Sequence, residues 1–269
     1  MIDNFTDIHS TNKIGLHEKK LNGEIPVTRE ELVKLINSWG RTGEFYINKN
    51  EDRIVRECKA KECYNLSKLD TSEITNMCNI FSYSNFNGDI SNWDVSNVTD
   101  MSEMFYCAKN FNQTLDKWNT SNVLDMHSMF YCAKNFNQAL NNWDVSSVTN
   151  MIAMFFWAEK FNQTLNNWNV SNVIYMHSMF YGARNFNQAM GNWDVSNVIN
   201  MNLMFGEARA FETKFNNGQF LSNDTKDLKS WLEKNRDRMN ELDIKEKYGK
   251  EIDSFFSNIL LTECNKLCL

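Results

Sequence analysis

The chain has 269 residues, a formal charge of −6 and 42% hydrophobic residues, enough to bury a large core. The mild acidity argues against a nucleic-acid backbone as main partner, because phosphate binding needs clustered Lys and Arg. No run of about 18 apolar residues exists to cross a membrane. Seven cysteines, an odd number without a dense framework, read as reduced thiols rather than a disulfide scaffold.

Residues 1–24 are polar and aperiodic, with no apolar stretch or small-residue cleavage site. They read as a flexible leader and not as a secretory signal, so the expected location is cytoplasmic. A first helix is expected from Thr28. Thr28 and Glu31 have capping-box spacing, and Val27 can staple onto Leu32. Leu32, Leu35, Ile36 and Trp39 form one apolar stripe, ended by Gly40 and Gly43. Residues 44–55 read as a hairpin. Residues 1–64 are thus expected to be a leader and an N-terminal cap.

Residues 65–211 carry the main signal. Trp93, Trp118, Trp143, Trp168 and Trp193 stand 25 residues apart, each inside the same approximate string, F-N-Q-x-L-x-N-W-D-V-S-N-V-x-x-M-x-x-M-F-x-x-A. A fixed period of this size predicts a solenoid of stacked repeats, in which no repeat buries its apolar side alone. Full repeats start at Phe86, Phe111, Phe136, Phe161 and Phe186. A degenerate one precedes them, with Leu69 in place of Trp. Within the repeat from Phe111, Leu115–Asn122 reads as a short strand. Met126, Met129 and Phe130, at i, i+3 and i+4, read as a short helical turn. The expected fold is therefore an α/β repeat solenoid, about six parallel strand-plus-turn units with helical caps at both ends. Two asparagine columns, Asn112/Asn137/Asn162/Asn187 and Asn97/Asn122/Asn172/Asn197, the second broken by Ser147, are expected to bond main chain at turns. Residues 212–269 read as a helical C-terminal cap, with amphipathic segments at 225–242 and 251–260.

The string W-D-V-S-N-V-T-D-M-S-E-M-F-Y-C-A over Trp93–Ala108 resembles the repeat of the BspA-like leucine-rich-repeat surface proteins. The likeness recurs in every repeat from about Leu69 to Phe211. It implies a leucine-rich-repeat-like solenoid, display on a bacterial surface or secretion, and adhesion or host-factor binding. It offers no catalytic residues to carry over.

Repeats spread identical groups along a line, whereas catalysis needs a few groups converging on one point. The chain is therefore not expected to be an enzyme, and no cofactor or metal is expected. His127 and His177 share a repeat position two repeats apart, about 10 Å by strand spacing, too far to share an ion, and read as solvated. A four-thiolate site from Cys58, Cys63, Cys264 and Cys268 would need the two ends to meet. Cys107 and Cys132, in adjacent repeats, could approach disulfide distance, but two packed thiols are the simpler reading. The binding candidates are Asp94, Asn119, Asp144, Asn169 and Asp194. Each follows an inward Trp and should point outward. The same row would serve equally as a solvated, charge-repelling face. The expected function is a scaffold for protein–protein interaction, with a protein partner and neither nucleic acid nor membrane insertion. A carbohydrate or extracellular-matrix binding module is the alternative.

Overall fold

The computed structural model describes residues 26–38 and 66–211. The expected hairpin, the C-terminal cap, Trp39 and the cysteines at 58, 63, 264 and 268 lie outside them. Helix α1 spans Arg29–Ser38. Its first turn is the capping box that the spacing predicts. The Thr28 N–H donates to Glu31 Oε2 at 2.9 Å, and the Glu31 N–H donates to Thr28 Oγ1 at 3.3 Å. Val27, Leu32 and Ile36 are buried in the core cluster shared with the repeats. The Val27 N–H donates to the Asp70 carbonyl at 2.9 Å, and Arg29 Nη2 to the Cys78 carbonyl at 2.7 Å, so α1 sits against the first repeat.

Successive repeats join through one column of parallel bridges, Asn76 to Asp100, then Asp125, Asn150, Tyr175 and Asn200. From that column onward four N–H groups of each repeat donate to carbonyls of the next. At one junction Met126, Ser128, Phe130 and Cys132 donate to Asn150, Ile152, Met154 and Phe156, at 2.7–3.0 Å. The other four junctions repeat this set in register. The intervening N–H groups close local turns, such as Met129 to Met126, Tyr131 to Ser128 and Ala133 to Phe130.

The segment read as a helical turn is therefore not helical. It is a ribbon of consecutive β-turns with left-handed residues at Ser128 (φ 52°) and Cys132 (φ 52°) and at the equivalent places in the other repeats. Two facts reconcile this with the spacing. Three-residue turns put i, i+3 and i+4 on one side, as a helix does, and a ribbon leaves alternate N–H groups available to the neighbouring repeat, whereas a helix would consume them. Likewise Leu115–Asn122 forms no strand. Trp118 N–H returns to the Leu115 carbonyl and Val123 N–H to the Thr120 carbonyl, and the inter-repeat pairing falls at the bridge column instead.

Every inward position is dry. The five Trp rings are 2–3% exposed, and the Met, Val and Phe of each frame are buried with them. Each indole N–H donates to a carbonyl of the preceding repeat: Trp143 Nε1 to Leu115 at 2.8 Å, Trp168 Nε1 to Leu140 at 2.9 Å. Phe105, Phe130, Phe155 and Phe180 form a second column, with ring centroids 5.4–5.5 Å apart. Buried Thr71 and Thr120 stand where other repeats have Val, and their hydroxyls donate to the Asp94 and Asp144 carbonyls. A second, smaller cluster lies on the other side of the ribbon, with Tyr106, Tyr131, Phe156 and Tyr181 stacked at 4.5–5.0 Å. Cys107 and Cys132 are buried there as reduced thiols. Gly182 (φ +68°) is needed beside this column, since an added Cβ would lie 2.6 Å from the Trp157 ring.

Candidate interaction surface

Asp94, Asn119, Asp144, Asn169 and Asp194 all stand exposed between two inward residues, on one face and one per repeat. Each, however, is engaged in its own turn. Asp94 Oδ1 accepts from the Ser96 N–H at 2.9 Å and from its hydroxyl at 2.6 Å. Asn119 and Asn169 take the N–H and hydroxyl of Ser121 and Ser171 in the same way. Asp144 and Asp194 accept from the N–H of Ser146 and Ser196 at 3.0 Å. These are Asx turns, which suit Asp and Asn equally because both offer the same oxygen. Hydrogen bonds from Ser96 and Ser146 hold the Asp94 and Asp144 carboxyls below the usual range. The column thus has a structural reason to exist, and its alternation of Asp and Asn leaves only charge to vary.

The two asparagine columns are ladders. Asn112 Oδ1 accepts from the Asn137 N–H and Asn137 Oδ1 from the Asn162 N–H, both at 2.9 Å, with Gln138 and Gln163 side chains joining each step. Asn122, Asn172 and Asn197 Nδ2 each donate to a serine carbonyl of the preceding repeat at 2.7 Å. Ser147 interrupts this second ladder with a side chain too short to make the reach.

Beside that interruption the surface turns apolar. Leu124 (50% exposed), Ile174 (36%) and Ile199 (55%) occupy one repeat position, and Tyr175 (42%) adjoins them. With Ser147, Thr149, Asn172 and Asn197, the three aliphatic side chains line an open groove of about 720 Å³. Sequence reading passed over this row. Its signal was present: Leu124, Ile174 and Ile199 each follow an inward valine, so alternation turns them outward. The signal is diluted because Thr99 and Thr149 hold the same position in other repeats.

The histidines share a repeat position but not an environment, and neither is solvated as expected. His127 is part-buried between Asp125 (Nδ1 to Oδ1, 2.9 Å) and Glu103 (Nε2 to Oε1, 3.5 Å). Burial alone would lower its pKa, yet the two carboxylates raise it to about 10. His177 is buried where Tyr175 replaces Asp125 and Ala153 replaces Glu103, and burial lowers its pKa to about 4. Among the described residues no group of three or more His, Cys, Asp or Glu is placed to hold a metal ion, and no helix is long and apolar enough to cross a membrane.

In kind, the molecule is a tandem-repeat protein whose ordered unit is the 25-residue frame. Residues 50–155, 111–218 and 133–247 match the family described as Mycoplasma protein of unknown function, DUF285, and the chain belongs to that family. No curated protein and no solved structure matches it.

Proposed function

We propose that the chain is a non-enzymatic scaffold, a leucine-rich-repeat-like solenoid of the BspA-like kind, that binds a protein partner along the row of Leu124, Ile174 and Ile199. The observation that carries this is the exposure of three branched aliphatic side chains at one repeat position, beside an open groove. Exposed apolar side chains gathered on one face and rimmed by polar groups favour an interaction site, and Thr149 is the one polar member of the row from Leu124 to Ile199. Asn172 and Asn197 supply such a rim, and the column from Asp94 to Asp194 supplies charge three positions earlier in the frame. The open groove suits an extended protein surface better than an enclosed small molecule. The five in-frame tryptophan rings are buried and offer no platform for stacking sugars, which weighs for a protein over a carbohydrate. The BspA-like resemblance suggests adhesion at a bacterial surface as the setting.

The test compares two triple variants in quantitative pull-downs from a host extract. Leu124→Ser, Ile174→Ser and Ile199→Ser together should cut recovery of a specific protein at least about tenfold, the loss of a few half-buried aliphatic contacts. Asp94→Asn, Asp144→Asn and Asp194→Asn keep every turn acceptor and should change recovery far less. Equal recovery with the first variant, or loss with the second alone, would overturn the assignment.

A further inference from the structure

The hydrogen bonding along the ribbon is directional. At each of the five junctions the four ribbon N–H groups belong to the earlier repeat and the four carbonyls to the later one. The bonds that run the other way lie outside the ribbon: at the outward position before the bridge, Thr99 to Thr75, Leu124 to Thr99, Thr149 to Leu124, Ile174 to Thr149 and Ile199 to Ile174, and past its end, Asn135 to Lys109, Lys160 to Lys134, Asn185 to Glu159 and Ala210 to Arg184. The two ends of the array are therefore unlike. At the last repeat the N–H groups of Met201, Leu203, Phe205 and Glu207 find no acceptor among the described residues. At the first repeat the carbonyls of Asn76, Ile80 and Ser82 find no donor among them, and the Cys78 carbonyl is taken only by the Arg29 side chain.

An ordinary β-strand edge alternates donors with acceptors. It would set some of its own N–H groups against the four at 201–207. The fitting partner is an edge that offers carbonyls at every second residue, in a ribbon of the same curvature, with one donor ahead of them. This chain carries that edge, at Asn76, Cys78, Ile80 and Ser82, with the Thr75 N–H ahead to meet the Ile199 carbonyl. Ser82 and Gly206 stand where the inner repeats have Tyr106, Tyr131, Phe156 and Tyr181, so neither end ribbon adds a ring at that position, although Tyr181 packs over Gly206 and Tyr83 lies against Tyr106.

We infer that the end ribbon at Met201–Glu207 docks the first-repeat ribbon of a second copy of this chain, head to tail, by the same bond set that joins repeats within one chain. Such a contact is heterologous, so it leaves an end open and extends to longer assemblies. Arg29 competes at this edge. Its guanidinium already donates to the Cys78 carbonyl at 2.7 Å, and removing it leaves that acceptor wholly to the incoming ribbon.

Sedimentation velocity of the full chain over a wide concentration range tests this. The wild type should show a concentration-dependent series of oligomers. Leu203→Arg at the donor end and Ser82→Arg at the acceptor end, each checked for an unchanged melting temperature, should each stay monomeric. Mixed together they should recover a dimer and nothing longer, because each still offers one intact edge. Arg29→Ala should shift association to about tenfold lower concentration, since one charged hydrogen bond no longer competes for that acceptor. A wild type that stays monomeric throughout, as it would if residues 212–269 covered the donor edge, overturns the inference. So does a mixture that forms no dimer, or association that neither arginine variant weakens.

Discussion

One repeat position holds both His127 and His177, and their neighbours alone set opposite protonation states. His127 has a folded pKa of about 10 against 6.5 for the free side chain, because Asp125 and Glu103 outweigh burial. The stability that its charge contributes is fully present below about pH 6.5 and is lost as pH rises through about 10. His177 has a folded pKa of about 4, from burial. Its neutral form contributes stability above pH 6.5 that is lost as pH falls through about 4, since the unfolded chain protonates first. Thermal melts across pH should therefore separate the two. His127→Asn should flatten the alkaline side of the stability profile, and His177→Asn the acid side between pH 6.5 and 4. If both variants altered the same limb, the two environments would be misassigned.

At the scale of the element, side-chain ladders do what secondary structure does elsewhere. Asn137 is the test case, because its Oδ1 serves the Asn162 N–H at 2.9 Å and Gln163 Nε2 at 3.1 Å. Asn137→Ala should cost about 1–3 kcal/mol in chemical denaturation, the cost of leaving a part-buried donor without its acceptor. Asn137→Asp keeps that oxygen and should lose less; equal losses would mean that the step carries little. These ladders were legible in the sequence because Asn recurs in frame and has a known use at turns. The capping box at Thr28 and the inward Trp column were legible for the same kind of reason, a spacing tied to one geometry. The β-turn ribbon was not legible. Its i, i+3, i+4 spacing fits a helix equally well, and its left-handed positions are held by residues such as Glu103, Ser128, Ala153 and Cys132, with Gly182 the single glycine among them. The apolar row at Leu124, Ile174 and Ile199 escaped because a threonine interrupts it at Thr149.

Across the whole molecule, each repeat contacts only its neighbours, so a lesion should act locally before it acts globally. Trp143 stands in the middle of the array, stacked on Trp118 at 6.2 Å and bonded to the Leu115 carbonyl at 2.8 Å. Trp143→Ala empties a large buried volume, about 3–5 kcal/mol for this class of change. It also removes one of two donors to the Leu115 carbonyl, which keeps the Trp118 N–H. That loss approaches the lower end of the whole stability of a typical domain, about 5–15 kcal/mol. A single cooperative core would simply unfold. An array with nearest-neighbour coupling should instead part at the lesion, keeping the repeats nearer α1 coupled to one another. Amide exchange resolved by residue distinguishes the two. Protection should collapse first at 115–150, the two repeats that share the Trp143 contacts, while the amides of Met77, Phe81, Met101 and Phe105 exchange slowly for longer. Uniform loss of protection from Met77 to Met204 would show that the repeats melt as one body, and the one-dimensional account of this array would have to be given up.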